Sequence, residues 1–188
     1  MRSDLLDKAL ETLKLGGTLL YPTDTIWGIG CDACCREAVD RIYSIKERDH
    51  SKSMLVLANE GMLSPTLPYE ARKILLCSNR PTTVILQKKM LTIELADNLL
   101  AADGTIGVRI PRFDFCQTLL TKLGHPIVST SANLSGSPSP ACYDEIAAAV
   151  MERVDYALPD DDSFIHSKQT SSRIVKLSDS DKIEILRE

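Results

Sequence analysis

The apolar positions of this chain change period several times, and each change marks an element. Leu5, Leu6, Ala9, Leu10 and Leu13 recur at helical spacing, with Ser3 placed to cap the N-terminus. Gly16-Gly17 stops that helix, and Thr18-Leu19-Leu20-Tyr21 reads as a buried strand closed by Pro22. Ala38, Val39, Ile42 and Tyr43 predict a second helix. Residues 54–58 are a short continuous apolar run, the pattern of a strand covered on both faces. Pro65 and Pro68 introduce a third helix around 69–76. The stretches 82–86 and 105–110 are β-branched and strand-like, the second ended by Pro111. A helix over 116–123 stops at Gly124, and a strand over 127–130 runs into a Ser/Asn/Gly/Pro-rich loop at 131–140. Tyr143, Ile146, Ala147 and Val150 predict a last helix, 159–162 an acidic surface loop, and 172–177 and 183–186 two closing strands. This order, without repeat or linker, predicts an α/β fold: one domain around a mixed sheet.

Composition narrows the class. The 188 residues suffice for one substantial core, and the apolar share of 44% is ordinary for a globular protein. No stretch approaches the roughly 18 apolar residues of a membrane span. Acidic residues interrupt the apolar pattern of the first ten positions, so no signal peptide is expected there and a cytoplasmic location follows. Of the six cysteines, Cys31 and Cys34 have C-x-x-C spacing, but no second such pair exists, and His50, His125 and His166 show no ligand spacing. Cys31, Cys34, Cys35, Cys77, Cys116 and Cys142 therefore read as reduced packing thiols. A net charge of −4 lacks the basic footprint of a dedicated nucleic-acid binder.

Two short stretches carry candidate chemistry. Lys46 and Arg48 are cations two positions apart, beyond the apolar period of the second helix; Ser131 and Asn133 are a hydroxyl and an amide two apart. In an extended segment, residues i and i+2 point the same way, so the first pair would grip one anion and the second hydrogen-bond one ligand. Plain alternatives stand beside both: a solvated Lys-Glu-Arg, and turn chemistry before a helix. Tyr21-Pro22-Thr23-Asp24-Thr25 leaves a strand and runs toward Gly28 and Gly30, a common setting for a ligand loop; Asp24 and Thr25 capping their own backbone is the structural alternative. Arg109, inside a β-branched strand, needs an acidic partner, from a substrate carboxylate or from an Asp or Glu. P-loop, G-x-G-x-x-G, G-x-S-x-G and H-E-x-x-H signatures are absent.

In their flanks these stretches resemble a known family. GGTLLYPTDTIWGIGCDA, KERDHSKSMLVLA, RPTTVIL, TIGVRIP, PIVSTSANLSGSPSP, SSRIVKL and the terminal EILRE occur in the order and at the separations of the YrdC family, the threonylcarbamoyl-AMP synthases, over about residues 5–188. The resemblance implies a single YrdC-like domain over 1–188, a twisted mixed sheet flanked by helices with a concave cleft, without the C-terminal domain of longer members. It implies a nucleotidyltransferase. Threonine's amine takes up bicarbonate as a carbamate, the carbamate attacks the α-phosphate of ATP, and pyrophosphate leaves threonylcarbamoyl-AMP. Mg²⁺ would assist at the phosphates, and a partner threonylcarbamoyl transferase complex would modify tRNA.

By resemblance, Lys46 and Arg48 are the catalytic cations facing phosphate and carbamate. His50, Thr105, Ser131, Asn133, Ser139 and Arg187 join them on the ATP side. Thr23, Arg109, Ser129 and Ser172 hold threonine; the resemblance assigns no particular residue to a metal, whose ligands stay open. Ser53, Trp27, Asn79-Arg80-Pro81 and Arg173 depart from the family's usual residues without removing any of these. Two other functions fit the same fold: binding of tRNA or double-stranded RNA without synthase activity, and a different carbamoyl transfer as in hydrogenase maturation.

Overall fold

The computed structural model describes residues 3–50, 52–161, 170–177 and 183–188. Helix α1 (Ser3–Lys14) buries Leu5, Leu6, Ala9 and Leu13 on one face. Gly16, at φ +73°, turns the chain into β1 (Thr18–Tyr21). A short turn leads to β2 (Gly28–Cys31), then α2 (Arg36–Lys46), β3 (Leu55–Leu57), α3 (Tyr69–Cys77) and β4 (Thr82–Gln87). The chain continues through β5 (Thr105–Arg109), α4 (Asp114–Leu123), β6 (Ile127–Ser131), α5 (Ala148–Met151), β7 (Tyr156–Ala157), β8 (Arg173–Leu177) and β9 (Ile183–Arg187).

The strands form one mixed sheet in the order β7-β1-β2-β6-β3-β5-β4-β8-β9. Three neighbouring pairs are parallel, β1 with β7, β3 with β5 and β4 with β8; the rest are antiparallel. Alternation divides the central strands between two environments. Val84, Val108, Val128 and Val175 are fully buried in the apolar core. The alternate positions beside them face a cleft, as the site below describes. Helix α2 packs on β1 and β2, α3 on β4, and α1 on β1 and α4. Among the described residues no helix is long and apolar enough to cross a membrane.

Three expectations change. Gly28–Cys31 is a buried strand rather than a loop, because Gly30 lets it lie against β6: a Cβ there would stand 1.9 Å from the Val128 carbonyl oxygen. The predicted last helix is divided. A 3-10 turn at Tyr143–Glu145 gives way to extended backbone at Ile146 and Ala147 before α5, and Ile146 and Val150 are still buried. Ser3 lies inside α1 as its first residue. The end of the acidic loop and His166 lie outside the described residues.

Candidate active site

The cleft, of about 260 Å³, lies across one face of the central strands. Thr83 and Ile85 of β4, Gly107 and Arg109 of β5, Ser129 and Ser131 of β6, and Ser172 and Ile174 at β8 all line it, spaced two apart as the pleat demands. Small residues leave the room: a Cβ on Gly107 would come 3.0 Å from Thr83 Cγ2 and 3.2 Å from Leu55 Cβ. The β1–β2 turn supplies Thr23 and Thr25. Thr23 is fixed by donating to the Ile26 carbonyl at 2.8 Å and accepting the Thr25 N–H at 3.1 Å. Thr83 and Ser172 share a hydrogen bond of 2.8 Å between their hydroxyls.

Three guanidinium groups reach this hydroxyl-rich surface. Arg109 is 3% exposed and ion-paired with Asp24, whose other oxygen accepts the Arg112 N–H at 3.0 Å. The buried Arg109 Nε has no hydrogen-bond partner. Arg187 donates to the Ser172 carbonyl at 2.7 and 3.2 Å. Burial, and then the charge of Arg109, push its pKa below the ordinary arginine value. Two guanidinium groups that oppose each other's charge favour an anionic occupant. Arg48 lines the cleft from the other side, wrapped on its own loop by bonds to the Lys52 carbonyl (2.8 Å) and the Ser53 carbonyl (3.0 Å).

Lys46 and Arg48 are not side by side on an extended segment. Lys46 ends α2, and Glu47 caps the helix in the left-handed conformation at φ 50°, which sends the two cations apart. Lys46 is buried, and its ammonium donates to the Ser131 carbonyl (2.5 Å) and the Asn133 carbonyl (2.7 Å), so it lies under the 131–133 loop rather than on the cleft wall. Asn133 is likewise turned inward. Its Oδ1 accepts the Ser131 hydroxyl at 2.5 Å, and its Nδ2 donates to the Ser137 carbonyl at 2.6 Å.

Of the residues assigned by resemblance, the cleft lining therefore contains Arg48, Ser131, Ser139, Arg187, Thr23, Arg109, Ser129 and Ser172. Lys46 and Asn133 stand behind it. Thr105 and His50 are not brought in. Thr105 sits at the far end of β5, where its hydroxyl donates to Asp103 at 2.6 Å. His50 is exposed and stacked on Tyr43, ring centroids 4.1 Å apart. The residue reading missed Thr83 and Thr130 as lining residues and Asp24 as the partner of Arg109; Thr25, in the loop singled out after β1, does line the cleft. The Thr-Thr-Val-Ile alternation carried the signal for Thr83; no spacing rule connects Asp24 to Arg109. The described lining residues offer hydroxyls and guanidinium groups but no carboxylate, so a Mg²⁺ ion here would be held chiefly through substrate phosphates.

Comparison with known proteins agrees with this geometry. A family described as telomere recombination, of Sua5, YciO and YrdC proteins, matches residues 11–188. A protein of Methanocaldococcus jannaschii named putative threonylcarbamoyl-AMP synthase is 34% identical, over 96% of this chain and 86% of its own length. A Hahella chejuensis protein named threonylcarbamoyl-AMP synthase is 32% identical over 71% of this chain and 73% of its own. Among solved structures, E. coli YciO superposes with a TM-score of 0.79 at 27% identity, covering all of this chain and 90% of its own. P. abyssi Sua5 complexed with L-threonine gives 0.77 at 22% identity, over 97% of this chain; the chain spans 53% of that protein's length. With its cleft on one face of this mixed sheet and its motifs in order from β1 to β9, the chain belongs to the Sua5/YciO/YrdC family.

Proposed function

We propose that this protein is a threonylcarbamoyl-AMP synthase, joining L-threonine, bicarbonate and ATP and releasing pyrophosphate. The observation that carries the reading is the convergence of Arg109, Arg187 and the Thr23, Ser129 and Ser172 hydroxyls on one strip of sheet. Threonine's carboxylate is held by Arg109, which lines the cleft while its guanidinium is paired with Asp24. Thr23 and Ser129 flank the amino acid. Its amine, once deprotonated, attacks bicarbonate; water leaves, and the carbamate oxygen attacks the α-phosphorus of ATP, expelling pyrophosphate.

The chain's part is to align two anions and offset their charge, the two effects that dominate phosphoryl-type transfer. Arg48 and Arg187 meet the phosphates, with Ser131 and Ser139 as hydroxyl contacts. Mg²⁺ bound to those phosphates would supply further charge neutralisation. A cleft of about 260 Å³ is large enough for the amino acid and its carbamate. Lys46 acts from behind, by holding the 131–133 loop in place. The adenylate then passes to a transferase complex that modifies tRNA.

Pyrophosphate release from ATP and Mg²⁺, with bicarbonate and threonine omitted in turn, tests this. Release that needs both establishes the synthase. ATP binding without release in any combination rejects it, and tRNA binding against salt would then test the RNA-binding reading.

A further inference from the structure

The opposite end of β2 from the cleft gathers three side chains that the proposed chemistry does not use. Asp32 follows β2 directly and bridges to Ile127 at the start of β6. Its Oδ1 accepts the Cys34 N–H at 2.8 Å, which leaves Oδ2 turned to His125 Nδ1, also at 2.8 Å. The Ala33 N–H donates to the Pro126 carbonyl at 3.0 Å, so backbone bonds tie the two segments together. A carboxylate oxygen, a thiol sulfur and an imidazole nitrogen thereby lie within 4.8 Å of one another. Sequence spacing concealed the group, because His125 stands 93 positions after Asp32.

We propose that Asp32, Cys34 and His125 bind one divalent transition-metal ion of the zinc type, at a site separate from the cleft. The donor set is one that zinc accepts, with sulfur at about 2.3 Å and nitrogen and oxygen at about 2.0–2.2 Å. Those bond lengths put ligand atoms of a tetrahedral site under about 4 Å apart. Small side-chain rotations close the remaining gap, while the backbone bonds hold the frame. Asp32 is nearly buried and His125 half-exposed, so the ion has an entry route and a fourth position open to water. On binding, a sulfur–metal bond forms and the Cys34 proton passes to solvent. Without an ion, burial and then the charge of Asp32 raise the Cys34 pKa to about 12; the ion's own charge reverses that balance. Nearby Cys31 and Cys35, and exposed Cys77 and Cys142, are free thiols that serve as internal controls.

The test is a titration of metal-stripped, reduced full-length protein with Co²⁺, followed by displacement with Zn²⁺. The expected result is a sulfur-to-cobalt charge-transfer band with tetrahedral d–d absorption, saturating at one ion per chain. Cys34→Ser abolishes the charge-transfer band, His125→Gln weakens binding by at least about tenfold, and Cys142→Ser changes neither. Circular dichroism confirms that each variant is folded; His125→Gln, at a half-exposed position, carries the test if Cys34→Ser is not. Absence of a thiolate band, or a band that survives Cys34→Ser but disappears with Cys35→Ser or Cys142→Ser, overturns the site and leaves Asp32–His125 as a simple hydrogen-bonded pair.

Discussion

Arg109 and Asp24 form a buried ion pair between β5 and the β1–β2 turn, at the point where the proposed threonine carboxylate binds. Asp24 also accepts the Arg112 N–H, so it fixes the strand arginine and the turn after that strand at once. Removing one partner of a buried pair strands the other charge, typically at about 3–5 kcal/mol. Asp24→Ala should therefore lose several kcal/mol in urea unfolding. Asp24→Asn, which keeps an acceptor for Arg112 but still strands the Arg109 charge, should lose less only by about 1 kcal/mol, the worth of that one hydrogen bond. Equal losses would show that the Arg112 contact contributes little and that the whole cost comes from the stranded Arg109 charge.

Arg109→Lys separates binding from stability. Lysine keeps the charge but not the fork that serves Asp24 and a second carboxylate together. The expected result is a threonine KM raised at least about tenfold, since each charged hydrogen bond is worth about 1.5–3 kcal/mol, with the ATP KM little changed. A matching rise in both constants would remove Arg109 from the threonine subsite.

The two glycines of β2 predict opposite outcomes. A Cβ on Gly30 would meet the Val128 carbonyl oxygen at 1.9 Å, a clash with backbone that no side-chain motion relieves. Gly30→Ala should cost about 3 kcal/mol or more and reduce soluble yield. At Gly28 the nearest contacts are 3.3 Å to the Thr130 carbonyl oxygen, 3.4 Å to Ser129 Oγ and 3.8 Å to Thr23 Cγ2. Gly28→Ala should fold, yet push a methyl group among the hydroxyls assigned to threonine. Thermal melting and threonine KM distinguish the two: a destabilised Gly30→Ala, and a stable Gly28→Ala with weakened threonine binding. An unaffected KM in Gly28→Ala would move threonine elsewhere in the cleft.

Most strands and four helices were legible because the central strands are β-branched and the helices carry clean apolar faces ending at Gly16 or Gly124. β2 was not, because Gly-Ile-Gly-Cys has the composition of a turn; its pairing with β1 on one side and β6 on the other makes it a strand, and Gly30 permits the close approach to Val128. The site was legible to the extent that it follows pleat alternation. Ser129 with Ser131 obeys it, and so does Thr83, which was overlooked. Lys46 and Arg48 obey a different rule. A left-handed Glu47 between them, its side chain 2.9 Å from Arg153, ends a helix there and divides the pair into an inner strut and an outer wall. Propensity does not announce a non-glycine residue in that conformation.

The inner strut gives the last prediction. Burial, then the charge of Arg48, lower the Lys46 pKa from 10.5 to about 8, against the pull of the carbonyls that accept its protons. Between about pH 8 and 10.5 the unfolded chain keeps this proton while the folded chain gives it up, so stability rises with pH across that window. The full gain is about 3 kcal/mol at roughly 1.4 kcal/mol per pH unit. Lys46→Met cannot titrate, and the carbonyls it leaves without a donor add a constant offset. Urea unfolding at about pH 7 and about pH 10 should therefore show wild type gaining about 2 kcal/mol relative to Lys46→Met, other titrating groups cancelling in the difference. Parallel pH dependences would mean that Lys46 keeps its proton, held by those carbonyls more strongly than burial opposes it. Lys46→Ala should lose synthase activity too, but with a loosened 131–133 loop: its loss acts through Ser131 and Asn133 and not by removing a charge from the cleft wall.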